Sequence, residues 1–474
     1  MIIFNFLEEV FKMANSNLKK DNLSIIETIA LSVAIIAPTA AMSINVSLMS
    51  LSASFSEPLI FFISMVIVGL VSYSVIKFNH YFSSSGSLYT FTEKTLGEKF
   101  GFLTGWALLL AYVMLAAGCC AELGAFFSKF LNYFGIQIAW LPLSMFFSLG
   151  IVILGIIDAK ISTRIMLAME GISILLIFIL SIVILFKVGS TKGLSPIPFK
   201  TNKNSFSTLA STSVLAFLSF IGFESASSLG EETKNPKKFI PLAIGSAVFV
   251  TGIFYLLSSY SQVIGFGVDA KGLKALSTSS LPLTDLSTKY ISRTFGIFLL
   301  FSASLSCFSC SLGSACAGSR ILFAMSKDGI ISKKLSIIHK KHCTPYIGII
   351  LITIVAMFLQ LILFKKDGIE AFNYLATIGS LAIIVSYLFT SIGAVVFFKR
   401  TKEIKNLNIF IPILSIAALL YVLYANIYPI PEFPTNTFPY IVLIWLVIGF
   451  ILNERFNKNA KIAVLDIAKE GLDL

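Results

Sequence analysis

Runs of apolar residues long enough to cross a bilayer recur along the whole chain, and no other feature limits its fold as strongly. They read near 25–51, 58–78, 99–128, 137–157, 164–186, 208–230, 239–264, 294–324, 345–364, 369–398, 408–428 and 437–453. Each approaches the roughly 20 residues that a helix needs to span hydrocarbon. There the backbone must satisfy its own hydrogen bonds, which leaves helices or closed barrels. The runs are continuous rather than alternating, which excludes a barrel. Composition agrees, with 56% hydrophobic and only 13% charged residues. The expected class is an all-α polytopic membrane protein with 12 transmembrane helices.

The net charge of +12 raises the question of nucleic acid, but its placement answers otherwise. With both termini on one side of the membrane, 25 of the 36 Lys and Arg fall on that side and 11 on the other. Eight of those 11 lie in or beside the two longest opposite loops, 187–207 and 265–293, where charge counts least for topology. The distribution places both termini in the cytoplasm of a cell whose cytoplasmic (inner) membrane holds the chain. The partner implied by the surface is the lipid bilayer, and no nucleic acid is expected.

Six cysteines and three histidines give no framework for disulfides, metal or cofactor. Cys119 and Cys120 fall in the third run, Cys307, Cys310 and Cys316 in the eighth, and Cys343 in a loop. Cys307 and Cys310 share a helix face and read as small packing residues. His80, His339 and His342 sit at run ends or in loops, so no buried imidazole cluster exists for zinc. The opening stretch, with Glu8 and Glu9, lacks a signal-peptide cleavage pattern. It reads as an interfacial helix, with Met13 as an alternative start.

Two runs contain helix breakers at matching places. In "SIIETIALSVAIIAPTAAMSINVSLMSL", Pro38 removes a backbone donor, so the helix should break between Ile36 and Ala41. In "SFIGFESASSLGEETKNP", Gly222 weakens the sixth run by about 1 kcal/mol relative to alanine, and the break is expected over Ile221 to Ser225. The third and eighth runs, again five apart, are both unusually long. Interrupted helices at corresponding places in halves of odd helix number point to a five-plus-five inverted repeat with a binding site at the breaks. Amides of Thr39, Ala40, Ala41 and Met42 would attract a carboxylate. Carbonyls near Ile35, Ile36, Ala37, Phe220 and Ile221 would attract an ammonium. A free amino acid carries both charges on one carbon and fits such a pair.

Three stretches resemble a known family. "FIGFESAS" at 220–227, "EETKNPKKFIP" at 231–241 and "SRILFAMSKDG" at 319–329 are similar to the amino acid–polyamine–organocation superfamily, in its bacterial amino acid permease branch. The resemblance covers roughly residues 22 to 450. It implies the leucine-transporter type of inverted repeat with broken helices 1 and 6, plus two further helices. It also implies alternating access, with the substrate held between spans one and six. The chain would then divide into a cytoplasmic segment 1–22, a transport core 23–400 (spans 1–5 over 23–186, spans 6–10 over 208–398), spans 11–12 over 401–453 and a cytoplasmic tail 454–474. Two departures stand out. Ala37-Pro38-Thr39-Ala40-Ala41 replaces the glycine-rich pattern of many members. The aromatic gate of many members falls at Leu218, with Phe217 or Phe220 as substitutes.

The intramembrane carboxylates carry the question of coupling. Glu224 follows the second break, and reads either as a structural group bonded to the loosened backbone of span one or as a proton carrier. Glu170 lies one turn before Ser173, the position that looks like that of a coupling lysine in related transporters. It reads as a proton carrier, or as a carboxylate reaching toward the cytoplasm or pairing with Arg164. Glu122 reads as interfacial. Span eight has Ser302, Ser304, Ser306, Ser309, Ser311 and Ser314 but no adjacent hydroxyl pair in its core. The reading therefore favours proton symport or exchange over sodium coupling. Glu231 and Glu232 could latch to Lys237, Lys238 or Arg320. The function expected is secondary transport of amino acids, neutral ones by weak preference. A polyamine or amine carrier and a transport-like nutrient sensor are the alternatives. An enzyme is not expected, because no buried nucleophile–base pair is present.

Overall fold

A computed structural model of the protein describes residues 18–202, 204–401 and 406–470, with side chains through 401 and over 408–454. The expected interfacial helix at the start and Met13 lie outside the described residues. Among those described, regular structure is helical apart from one isolated bridge between Leu23 and Thr233. In chain order the helices are α1 (Ile25–Ile36), α2 (Pro38–Ala53), α3 (Glu57–Tyr81), α4 (Leu88–Leu96), α5 (Glu98–Asn132), α6 (Trp140–Ile156), α7 (Ala159–Thr191) and α8 (Phe206–Leu218). They continue as α9 (Pro236–Phe266), α10 (Ala270–Thr278), α11 (Pro282–Tyr290), α12 (Arg293–Lys327), α13 (Tyr346–Ile362), α14 (Gly368–Arg400), α15 (Asn406–Ile427) and α16 (Phe438–Glu470). Among the described residues, ten segments are long and apolar enough to cross a membrane, taking α1 with α2 and α8 with the residues that follow it as one each. The apolar helices α6 and α13 are shorter, at 17 residues each.

Local chemistry sets the ends of these elements. Ser24 and Glu27 form a reciprocal capping box that starts α1, and the Ser24 hydroxyl also bonds the Glu27 carboxylate. Pro38 then stops α1, since it offers no amide and disfavours helical backbone in the residue before it. Ala37 is left in the left-handed region at φ 48°, and Pro38 becomes the first residue of α2. In the sixth run α8 ends at Leu218, and tight turns carry the chain through Phe220 and Ile221. Gly222 follows at φ 106° and a 3-10 segment runs over Phe223–Leu229. No side chain fits at Gly222, where an added Cβ would lie 2.4 Å from Ile35 Cγ2.

The long helices α5 and α12, 35 residues each, pack against one another, and α5 also packs against α14. At the periphery, α15 and α16 bury only a minor share of their surface. Here α16 continues as backbone helix to Glu470, through the stretch expected as a tail. It is fastened to α5 by Trp106 and Trp445, whose rings stack 4.4 Å apart. Each indole N–H donates to the other residue's carbonyl at 2.9 Å.

Candidate functional site

The two breaks meet. The Ser32 hydroxyl on α1 donates to Phe223 O at 2.8 Å and accepts from the Ala226 amide at 3.3 Å. On the far side of the breaks, Asn45 Nδ2 donates to Ser219 Oγ at 2.8 Å. Beside this junction lies a cavity of about 120 Å³. Its wall includes Ile35, Ile36, Ala37, Ala40, Ala41 and Asn45 from the first break, and Leu215, Leu218, Ser219 and Ile221 from the second. Long helices close it with Leu115, Cys119 and Glu122 on α5, Cys310 on α12, and Phe372, Asn373, Ala376, Thr377 and Ser380 on α14.

Five of the expected substrate residues, Ile36, Ala37, Ala40, Ala41 and Ile221, are on this wall. The other four are packed behind it. Met42 is fully buried and its carbonyl accepts from Gln262 Nε2 at 3.2 Å. Phe220 packs edge-on against Tyr255 at 4.9 Å, and Gly222 is pressed onto Ile35. Thr39 is buried too, and its amide is occupied from within the protein. Of the gate candidates only Leu218 reaches the wall, since Phe217 and Phe220 are buried.

The amides expected to await a ligand's carboxylate already have partners. Glu170 Oε1 accepts from the Thr39 amide at 3.3 Å and from the Ser306 hydroxyl at 3.0 Å. The Ala40 amide donates to Ser306 Oγ at 3.4 Å, and the Ala41 amide to Ala37 O at 3.1 Å. Glu170 therefore places its own carboxylate at the positive end of α2. The expected pairing with Arg164 is overturned: Arg164 bonds Glu27 at 2.8 Å, and Glu170 is buried. Glu170 Oε2 and Thr39 Oγ1 have no hydrogen-bond partner, so polar capacity is left over at this point.

Glu224 also differs from expectation. It does not bond the loosened backbone of α1. Tyr112 OH donates to its Oε1 at 2.8 Å and Tyr387 OH to its Oε2 at 2.5 Å. The carboxyl thus ties the second break to α5 and α14. Glu122, expected at the interface, is instead 1% exposed and lines the cavity, with Cys307 Sγ 3.4 Å from Oε2. Sequence reasoning missed Asn45, Glu122 and the α14 residues as wall positions. For Asn45 alone a signal existed, a polar side chain two turns beyond Pro38 within the broken run.

On the other side of the breaks, ion pairs and backbone hydrogen bonds join the segments. Arg320 and Glu232, both buried, pair through Nε–Oε2 at 2.6 Å and Nη2–Oε1 at 3.2 Å. Arg320 was one of the expected latch partners. Glu231 takes Lys327 at 3.2 Å, a partner not anticipated, and accepts from the Ser85 hydroxyl at 2.9 Å. The backbone joins in: the Asn22 and Leu23 amides donate to Glu232 O, and the Lys234 amide to Leu23 O. Outside this layer Lys19 and Asn22 hold Asp158 at 2.7 and 2.8 Å. Burial would raise the Asp158 carboxyl, but hydrogen bonds from Lys19, Asn22 and the Lys160 amide outweigh it and hold it below its ordinary value.

A bundle of apolar helices long enough to cross a membrane, with a cavity where two interrupted helices meet and a buried ion pair beyond the breaks, is the build of a multi-pass membrane protein. The chain belongs to the amino acid permease family, whose sequence pattern matches residues 29–466. It is similar to the branched-chain amino acid permease BcaP of Bacillus subtilis, with 27% identity over 84% of this chain and 85% of the relative. The methylthioribose transporter of the same organism is 25% identical, over 84% of this chain and 86% of the relative. The low-affinity putrescine importer PlaP of Escherichia coli is 23% identical, over 69% and 70%.

Proposed function

We propose that this protein is a secondary transporter that moves free amino acids across the cytoplasmic membrane by alternating access, coupled to protons or to amino acid exchange. In this reading α6 and α13 complete twelve spans, the ten core spans form a five-plus-five inverted repeat, and both termini are cytoplasmic. The observation that carries it is the cavity at the junction of two broken helices, with the Arg320–Glu232 pair closing the opposite side. A substrate ammonium is held by carbonyls at the first break beside Ile36 and Ala37. Its carboxylate competes with Glu170 for the amides of Thr39 and Ala40. Glu170 is the coupling group on this view: protonation weakens its hold on α2, and the substrate carboxylate replaces it. Glu224 stays in place as the link to Tyr112 and Tyr387. The work asked of these groups is binding and release, not bond making, so the protein is not an enzyme.

The test is uptake of a mixed set of labelled amino acids into proteoliposomes, with and without an inward proton gradient. Symport predicts gradient-stimulated uptake of a subset, with the stimulation lost in Glu170→Gln and kept in Glu224→Gln. Exchange predicts uptake that needs internal amino acid and ignores the gradient. No uptake by folded protein would refute the proposal. A second reading, an amine carrier, is favoured by Glu122, a carboxylate on the cavity wall suited to a substrate cation. Uptake of labelled putrescine that is lost in Glu122→Gln would select it.

A further inference from the structure

Four cysteines cluster where α5 and α12 cross, and their partners differ. Cys120 Sγ lies 3.3 Å from Ser144 O and from Ser148 Oγ, turned toward α6. Cys307 Sγ faces Glu122. Cys119 and Cys310 face each other instead, with their sulfurs 3.1 Å apart, and both lie on the cavity wall. They form a short relay: the Cys119 thiol donates to Cys310 Sγ, and the Cys310 thiol donates to Ile35 O at 3.1 Å. Ile35 O is among the carbonyls that lose their helical partner at the Pro38 break, so the relay ends on the group the break exposes.

We propose that Cys119 and Cys310 are an oxidisable dithiol built into the cavity wall, converted by a small disulfide compound into a bridge between α5 and α12. The chemistry is thiol–disulfide exchange. One protein sulfur attacks the S–S bond of the reagent, forming a mixed disulfide and releasing one reagent thiol, which takes up the proton. The second protein sulfur attacks the mixed disulfide, forming Cys119–Cys310 and releasing the second reagent thiol with the other proton. The protein loses two hydrogens and the reagent is reduced to two thiols. Two consequences follow from the geometry. Reagent reaches the pair through the cavity, hence from the side opposite the Arg320–Glu232 latch. Oxidation also removes the S–H donor from Ile35 O, so the hydrogen bonding of the break changes with redox state.

Cystamine is a suitable probe, added to one side at a time of vesicles holding the full-length protein in known orientation, with disulfides mapped by peptide mass spectrometry. The expected result is a Cys119–Cys310 bridge, reversed by dithiothreitol and formed at least about tenfold faster from the cavity side. In Cys119→Ala or Cys310→Ala the second step is impossible, so a cysteamine adduct should accumulate on the remaining thiol. A bridge involving Cys120 or Cys307 would overturn the assignment, as would equal rates from both sides. So would failure to bridge in folded protein whose two thiols react readily once it is unfolded in detergent. The readout is covalent and needs no knowledge of what the protein carries.

Discussion

Removing one partner of the Arg320–Glu232 pair should open the latched side, and by different amounts depending on which partner goes. Both side chains are buried, at 3% and 1% exposure, and two contacts of 2.6 and 3.2 Å join them. Breaking such a pair from one side costs about 3–5 kcal/mol, mostly through the charge left behind. Glu232→Gln strands a guanidinium that cannot shed its proton. Arg320→Gln strands a carboxylate that can take one up, so its cost should fall at or below the low end of that range. Glu231→Gln, next in sequence, breaks a half-exposed contact with Lys327, for which about 0.2–1 kcal/mol is the usual scale. The predicted order of effect is therefore Glu232→Gln, then Arg320→Gln, then Glu231→Gln. For the first, an equilibrium shift on the order of a hundredfold or more is expected. The assay is labelling of Cys310 by an impermeant maleimide added on the latched side, in protein whose other five cysteines are serine. Glu232→Gln should raise the labelling rate strongly, and Glu232→Leu with Arg320→Met should return it toward the starting value. If Glu232→Gln labels no faster than Glu231→Gln, the pair is not what holds this side shut.

Other perturbations probe the breaks and the outer contacts. Gly222→Ala places a Cβ 2.4 Å from Ile35 Cγ2 at a φ of 106°, so a loss of at least about 1–3 kcal/mol is expected from backbone strain alone. Thermal unfolding of purified protein should show it, Ile35→Ala should recover part, and wild-type stability would refute the steric account. Tyr387→Phe removes the 2.5 Å bond to Glu224 and should cost about 1–3 kcal/mol. Tyr112→Phe should act less than additively with it, because both serve one carboxyl; independent effects in a double-mutant cycle would argue against a shared network. The Lys19–Asp158 contact has its own pH window. Asp158 is held below its ordinary value, so its contribution is full above the unfolded-chain value near 4 and is lost as pH falls through the lower folded one. Lys19 is raised, chiefly by its hydrogen bond to Asp158, so its contribution is full below about 10.4 and lost as pH rises beyond. A spin label at Asp21 should keep constant mobility from about pH 4 to about pH 10 and gain mobility only on further acidification. A mobility change between about pH 5 and 9 would contradict this.

What the sequence made legible was whatever one residue does to its own backbone. Pro38 and Gly222 interrupt their helices wherever the chain is packed, so both breaks were placed to within a few residues. The acidic pair before Asn235-Pro236 and the arginine of "SRILFAMSKDG" were legible as a latch because each is an unusual charge at a span end. The carboxylates were read less well, for a reason common to all three. Glu170 finds its partners on α2 and α12, Glu224 on α5 and α14, and Glu122 on α12. Such contacts join residues more than a hundred positions apart, and neither spacing nor hydropathy encodes them. The cavity wall escaped for the same reason: Asn373 and Thr377 sit on a helix whose apolar pattern says that it spans, not which face meets the breaks.

The tryptophans offer a practical corollary. The chain has three. Trp106 lies in α5 and Trp445 is clasped to it by stacking and paired hydrogen bonds. Trp140 presses its carbonyl against Gly124 of the same helix. None belongs to the interrupted segments. Under the proposed alternating access, intrinsic fluorescence will accordingly report on the frame around α5 and stay nearly silent while α1, α2 and α8 rearrange. An optical signal for the moving parts will have to be introduced, and Leu218 or Ala41, on the cavity wall, are the places to put it.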